Sequence, residues 1–323
     1  MDRKLRNELR LAVARCRTEL TEDYLHQLEG QFGIYADGRI TGEEALPQLD
    51  AAGRRDRRAI VAALEHIAAG GALRAEAVAQ FVRESAFSTL NRLTAIKLME
   101  APERKLVPES VGSGANSRGF RQFAMISPEA VRAEPDGGYR LYLDLLCGDI
   151  AQEIGVLFDL RAPQGILFPG ERALRAVLEE LNAPALAAIW AEDETLGWVY
   201  QYFTPKELRD VARKASAAPR NADELAFRNQ FYTPRYVVEF LTENTLGRTW
   251  YEMRQGDTAL ADPARCRYLV RRKHPIWLAP GEAAPEPFPE DPDFGESSPD
   301  DEPSGETPSG EPSPPAPLPM RGR

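Results

Sequence analysis

Cysteine and histidine are both scarce in this chain. Three cysteines, Cys16, Cys147 and Cys266, stand far apart in 323 residues, which excludes a disulfide framework and a Cys-x-x-Cys metal knuckle. Three histidines, none near a cysteine, exclude a structural zinc site, so no metal centre is expected. Long apolar runs are missing as well, since nothing approaches the ~20 apolar residues that a membrane-spanning helix requires. The opening, Met1-Asp2-Arg3-Lys4-Leu5-Arg6, leads straight into an amphipathic pattern without the apolar core of a secretory signal. The expectation is a reduced, cytoplasmic protein with no membrane partner.

The apolar fraction is 43% and the charged fraction 28%, values ordinary for a folded chain of this length. The net charge of -10 is unevenly distributed. Residues 281–323 hold eleven Asp and Glu against two Arg, leaving 38 basic and 39 acidic side chains in the rest. A nearly neutral body with an acidic tail leaves nucleic acid open as a partner. Twelve of those 43 tail residues are proline, and such a composition cannot bury enough apolar surface to offset the entropy of ordering. The tail is expected to be disordered. Its end, Pro312-Ser313-Pro314-Pro315-Ala316-Pro317-Leu318-Pro319, suits an extended polyproline conformation, as a linker or as a ligand for an SH3-like groove.

The first hundred residues are patterned for helices. Leu5, Leu9, Val13, Cys16 and Leu20 recur at steps of four, four, three and four. Thr21 is placed to cap a second helix carrying Tyr24, Leu25, Leu28 and Phe32. Ile60, Leu64 and Ile67 mark a third. Val78, Phe81, Val82, Ala86, Leu90, Leu93 and Ile96 mark a longer one that ends before Pro102. From Pro102 to Gly138 the periodicity fades, and five glycines mark loops around a short strand near residues 120–125. Helical spacing returns with Leu143, Leu146, Ile150, Ile154 and Leu157, then with Leu174, Val177, Leu178 and Leu181 before Pro184. Leu186, Ile189 and Trp190 begin the next element.

Two similar phrases follow. Tyr202-Phe203-Thr204-Pro205-Lys206 is matched 29 residues later by Phe231-Tyr232-Thr233-Pro234-Arg235. In both, Thr occupies an N-cap position and Pro the first helical position, where a missing N–H costs nothing. Glu207 completes a capping box in the first. The second leads into Val237, Phe240, Leu241 and Thr245, a helix expected to end near Gly247.

Candidate chemistry is sparse. Gly112-Ser113-Gly114 with Gly119 lacks the spacing and the Lys-Ser/Thr of a phosphate loop and reads as a flexible loop. Asp144, Asp149, Glu153 and Asp159 offer carboxylates, but they fall between apolar positions and read as a solvated helix face. Arg54, Arg55, Arg57 and Arg58 form the densest basic run, either a phosphate-contacting helix start or a solvated face. Arg213, Lys214, Arg220, Arg228 and Arg235 make a second basic stretch, interleaved with Tyr202, Phe203, Phe227, Phe231 and Tyr232. That mixture suits nucleic acid, although the aromatics equally suit a core. Arg54, Arg55, Arg57, Arg58, Arg213 and Lys214 are therefore the candidate DNA contacts.

The residues Gly197-Trp198-Val199-Tyr200-Gln201-Tyr202-Phe203 and Asn229-Gln230-Phe231-Tyr232-Thr233-Pro234-Arg235-Tyr236-Val237-Val238 carry a resemblance. So does Thr242-Glu243-Asn244-Thr245-Leu246-Gly247-Arg248-Thr249-Trp250. Together they resemble the large adenine-specific DNA methyltransferases of bacterial phage-defence (BREX- and DISARM-type) and type II restriction–modification systems. Upstream, Glu84-Ser85-Ala86-Phe87 and Leu90-Asn91-Arg92-Leu93 are similar to that family's helical N-terminal region. In the family, the Gln-Phe-Tyr-Thr-Pro-Arg phrase opens the helix before the first catalytic strand and borders the methionine end of S-adenosylmethionine. Position by position, the resemblance implies that Phe231, Tyr232, Thr233 and Pro234 face the cofactor. A helix N-terminus offers N–H groups to a carboxylate, and an adjacent aromatic suits the sulfonium. The family's glycine-rich cofactor loop and its Asn-Pro-Pro-Tyr motif, which grips a flipped adenine, do not occur in the sequence.

The expected fold is mainly α. A helical N-terminal region leads into the first helix of a truncated Rossmann-like methyltransferase domain, followed by the tail. The expected divisions are a helical region 1–101, a loop-rich connector 102–138, a second helical region 139–228, the start of a methyltransferase domain at 229–275 and the tail at 276–323. The resemblance implies a fragment of a site-specific adenine-N6 methyltransferase with no catalytic residue of its own, inactive without a downstream catalytic polypeptide and acting on DNA. A non-enzymatic helical DNA-binding or adaptor protein is the alternative.

Overall fold

A computed structural model describes residues 3–134, 137–204, 206–220, 222–229 and 231–270. The Pro-rich tail, Pro205, Gln230 and the side chain of Glu207 lie outside that description. As expected, the fold is mainly helical, and among the described residues there is no β-strand, only an isolated bridge between Ile34 and Ile40. The chain forms two compact units, divided between Pro234 and Arg235.

In the first unit, α1 (Arg3–Gly30) is a single helix of 28 residues. The expected break at Thr21 does not occur. The buried stripe continues from Leu20 through Tyr24 to Leu28 without a change of register, so nothing favours a cap there. Helix α2 (Ala51–Ala69) starts at Asp50, whose carboxylate accepts from the Gly53 N–H at 2.7 Å. Helix α3 (Arg74–Met99) is wrapped on every side along residues 89–96, all of which are buried. Four of those eight are polar, and burial costs such groups free energy unless they are paired. Thr94 Oγ1 has no hydrogen-bond partner among the described residues, whereas Thr89 and Arg92 do. Thr89 Oγ1 lies 2.6 Å from the Tyr24 hydroxyl. Arg92 donates through Nε to the Leu157 carbonyl at 2.7 Å and through Nη2 to the Asp159 carbonyl at 3.4 Å.

The segment expected to hold a short strand is instead α4 (Arg118–Ile126), followed by α5 (Pro128–Ala133). Ser117 Oγ caps α4 by accepting from the Phe120 N–H. Phe120 and Phe123, three apart, then share one face and meet Tyr139 and Tyr142. A spacing of three fits a helix and not the two-residue period of a strand. The unit continues through α6 (Tyr139–Ala151), α7 (Gly155–Phe158), α8 (Pro163–Ile166), α9 (Glu171–Leu181), a 3-10 helix (Pro184–Ala191), α10 (Thr195–Phe203), α11 (Lys206–Ala215) and α12 (Ala222–Asn229). Helix α1 packs against α3, α9 and α10, so the early and late helices share one core. Further arginines tie helix ends together across long stretches of sequence. Arg17 Nη1 donates to the Phe203 carbonyl at 2.6 Å, and Arg104 Nη1 to the Trp190 carbonyl at 2.7 Å.

The second unit contains α13 (Arg235–Thr242), a π turn (Glu243–Gly247) and α14 (Arg248–Met253). The helix expected to end near Gly247 passes through it, because Gly247 adopts ordinary helical angles (φ -60, ψ -44). It stops before Gln255 and Gly256, both at positive φ. The π turn holds the later chain through two side chains. Asn244 Nδ2 donates to the Tyr268 carbonyl at 2.7 Å, its Oδ1 accepts from the Val270 N–H at 2.9 Å, and the Glu243 carboxylate accepts from the Tyr268 N–H.

Replacing Arg92 by Ala would leave the Leu157 and Asp159 carbonyls without their buried donor. The expected loss is about 2–4 kcal/mol of unfolding free energy, read from urea titration by circular dichroism.

Candidate functional site

Helix α10 turns Val199 and Phe203 into the core. Its other faces carry the residues that meet the later phrase. Trp198 stacks on Tyr202, one turn on, with ring centroids 5.6 Å apart at 23°. Tyr232 docks on the same helix by three contacts. Its backbone N–H donates to Gln201 Oε1 at 2.8 Å, its ring meets that of Trp198 at 5.3 Å and 60°, and its Cδ2 and Cε2 atoms lie against Gly197. A Cβ at Gly197 would stand 2.0 Å from the Tyr232 ring, so only glycine permits this approach. The guanidinium of Arg6, from the first turns of α1, lies over Trp198 at 5.1 Å.

Of the four residues assigned to the cofactor by resemblance, Phe231 and Thr233 are exposed, while Tyr232 and Pro234 are half-buried. Phe231 has the guanidinium of Arg209 over its ring at 5.3 Å. Arg209 is itself buried, with Nε donating to the Phe227 carbonyl at 2.8 Å. Burial, and then the neighbouring charge of Arg213, push its pKa below the usual arginine value.

The basic candidates lie on two separate helices. On α2, Arg57 is buried and donates to the Phe32 carbonyl at 2.9 Å and to the Thr41 carbonyl. Arg54 and Arg58 flank Glu43 at 3.8 and 3.7 Å, and Arg55 is exposed. On α11, Arg213 and Lys214 are exposed, and Arg213 reaches the Arg228 carbonyl at 3.2 Å.

The glycine loop is tied down. Glu100 Oε2 accepts from the Ser110 and Val111 N–H groups at 2.6 and 2.8 Å, and the Gly119 N–H donates to the Glu109 carbonyl at 2.7 Å. Ser113 to Asn116 wall a cleft of about 730 Å³ with Phe168, Leu174 and Leu178. The carboxylates of α6 and α7 do not converge: Asp144 pairs with Arg140 and Asp159 with Arg161. Burial pushes the thiols of Cys16 and Cys147 up to about 12, which removes thiolate chemistry at neutral pH. Among the described residues, no three His, Cys, Asp or Glu side chains are grouped to hold a metal ion, and no helix is long and apolar enough to cross a membrane.

The docking of Tyr232 on Gly197 lies outside what the two resembling phrases predict. Its signal was present: a glycine inside a helix costs about 1 kcal/mol and calls for a close approach to explain it.

No family model matches the chain. A stretch of it is similar in sequence to a bacterial adenine-specific methyltransferase. That protein is the adenine-specific methyltransferase BrxX of Escherichia coli O9:H4 (strain HS), with 26% identity over 97 residues. The match covers 30% of this chain and 7% of the relative's own length. The chain thus carries a methyltransferase-related region and spans a small part of that larger protein.

Two measurements check the site as described. Gly197→Ala should displace Tyr232 and cost about 1–3 kcal/mol of stability, with a change in Trp fluorescence as Trp198 loses its neighbour. A thiol-labelling reagent at pH 8 should leave Cys16 and Cys147 unmodified until denaturant is added, as identified by mass spectrometry of the labelled peptides.

Proposed function

We propose that this chain is the helical part of a site-specific DNA adenine-N6 methyltransferase. The complete enzyme moves the methyl group of S-adenosylmethionine to the exocyclic amine of adenine in duplex DNA. The observation that carries this reading is the joint between residues 197–203 and 231–234. These are two of the phrases that resemble the family, and they meet in space through Gly197, Trp198, Gln201 and Tyr232. The relatedness of part of the chain to an adenine-specific methyltransferase agrees with it.

Within that reading the four residues divide their work. Tyr232 fastens the phrase to α10 and sets the position of its neighbours. Phe231 offers a ring where a cation is already stable, as the guanidinium of Arg209 attests, and the sulfonium of S-adenosylmethionine is a cation. Thr233 presents an exposed hydroxyl beside it, and Pro234 limits the backbone conformations open to the phrase. S-adenosylmethionine supplies the methyl group. The glycine-rich loop and the Asn-Pro-Pro-Tyr motif are assigned to polypeptide beyond these 323 residues. Arg54, Arg55, Arg58, Arg213 and Lys214 are the proposed DNA contacts, Arg57 being committed to carbonyl groups inside the fold. A cytoplasmic location, beside DNA and cofactor, belongs to the same proposal.

A non-enzymatic helical DNA-binding or adaptor role is favoured by one observation, the continuous core that the first unit builds from its own helices. Reconstitution separates the two. The chain is mixed with a polypeptide bearing the glycine-rich loop and the Asn-Pro-Pro-Tyr motif, and methyl incorporation into DNA is measured. Transfer in the mixture alone is expected. In that mixture Phe231→Ala should weaken S-adenosylmethionine binding roughly three- to thirtyfold, the range of a cation–π contact. Pro234→Ala should weaken it severalfold, and neither should change DNA affinity. Unaltered cofactor affinity would remove the assignment of the phrase, and DNA binding without transfer would identify the adaptor.

A further inference from the structure

A second, smaller cavity of about 170 Å³ is built on the outer side of α10. Its walls are the rings of Phe87, Tyr200, Phe203 and Phe227, and Arg83 and Arg209 contribute to its lining. Phe87 meets Tyr200 and Phe203 edge-on, at 5.6 and 5.0 Å, so these rings are held in place by one another. The volume lies below the ~300–1,000 Å³ of ordinary small-molecule clefts. It has room for one planar ring system belonging to a ligand whose remainder stays outside.

Two arginines, Arg83 and Arg209, and one carboxylate, that of Glu84, line the cavity. Glu84, its acidic lining residue, has both oxygens engaged, Oε1 by Gln80 at 2.9 Å and Oε2 by Gln164 at 3.1 Å. Arg209 is 8% exposed and donates to neutral carbonyls, those of Phe227 and Gln201. Arg213, a like charge, and Asp210, an opposite one, act on it as well. A buried guanidinium whose hydrogen bonds go to neutral carbonyls is stabilised further by a phosphate anion. Aromatic walls lined at one side by arginine match a flat ring carrying a phosphate.

We propose that this cavity receives one nucleobase of a DNA strand, with the adjoining phosphate held by Arg209 and Arg83. The assignment rests on the reading that the chain works on DNA, and it gives that reading a specific point of contact. It explains why Tyr200, in the middle of the phrase 197–203, points away from Tyr232. Stacking of a base on aromatic rings tolerates any sequence, so this contact would position a displaced strand without reading it.

The test uses the full chain and a labelled single-stranded oligonucleotide, followed by fluorescence anisotropy, with adenosine monophosphate as competitor. Tyr200→Ala removes an exposed wall, Ala226→Phe fills the cavity from α12 without touching a charge, and Arg83→Gln removes a cation. Thermal melting of each variant reports whether it is folded. Tyr200→Ala and Ala226→Phe should each weaken strand binding at least fivefold. Arg83→Gln should lower the slope of log affinity against log salt by about 0.7, one phosphate contact on a single strand. Competition by excess adenosine monophosphate would show that the cavity takes the nucleotide unit itself. Unchanged strand binding in folded Tyr200→Ala and Ala226→Phe overturns the proposal, as does a wild-type chain that binds neither probe. Cavity-dependent binding without methyl transfer in the reconstituted mixture leaves the proposal standing and removes the methyltransferase reading.

Discussion

The arginine guanidinium donating to the carbonyl oxygens at a helix end is the interaction on which this fold depends. A helix leaves its last four carbonyls without partners, and a chain of many short helices has many such ends. Arg17 serves the end of α10, Arg92 the end of α7, and Arg104 the end of the 3-10 helix. Arg209 and Arg213 serve the end of α12, and Arg228 the chain just after α11 through the Ser216 and Ala217 carbonyls. One guanidinium carries five donors in a planar fork, and its charge also suits the negative end of a helix dipole. Each of these contacts fixes where one helix stops and which other helix lies beside that stop.

This use of arginine explains what was legible in the sequence and what was not. Helix type was legible because steps of three and four repeat: Leu5 to Leu20 in α1, Val78 to Ile96 in α3, Leu174 to Leu181 in α9. Helix ends were less so. Thr21 had the chemistry of a cap, but the apolar register overrode it. Residues 120–125 had aromatic strand formers, but their partners on α6 lie three apart along a helical face. The acceptors of an arginine were not legible at all. Arg57 sits in a run of four basic residues that reads as a surface, yet it points inward to two carbonyls 25 and 16 residues away. Its place three residues before Ile60 and seven before Leu64 puts it on the buried stripe of α2 and sets it apart from Arg55, but its acceptors are set by tertiary packing.

The second unit is organised differently. None of residues 235–253 is buried, although Tyr236, Phe240, Leu241, Trp250 and Met253 are all large and apolar. The later chain is held by polar side chains: the π turn widens the helix at Glu243 and Asn244, and both turn toward the backbone at residues 268–270. The carboxamide of Asn244 gives one hydrogen bond to that backbone and takes one from it, and gives a second to the Phe240 carbonyl of its own helix.

The contact between Gly197 and Tyr232 also has a consequence for inheritance. Because a single added carbon at position 197 would fall inside the ring at 232, the two positions cannot drift separately. A lineage that gains any side chain at 197 must first have lost the ring at 232, or must lose the joint. The order of changes open to the pair is therefore constrained by the space between α10 and residues 231–234.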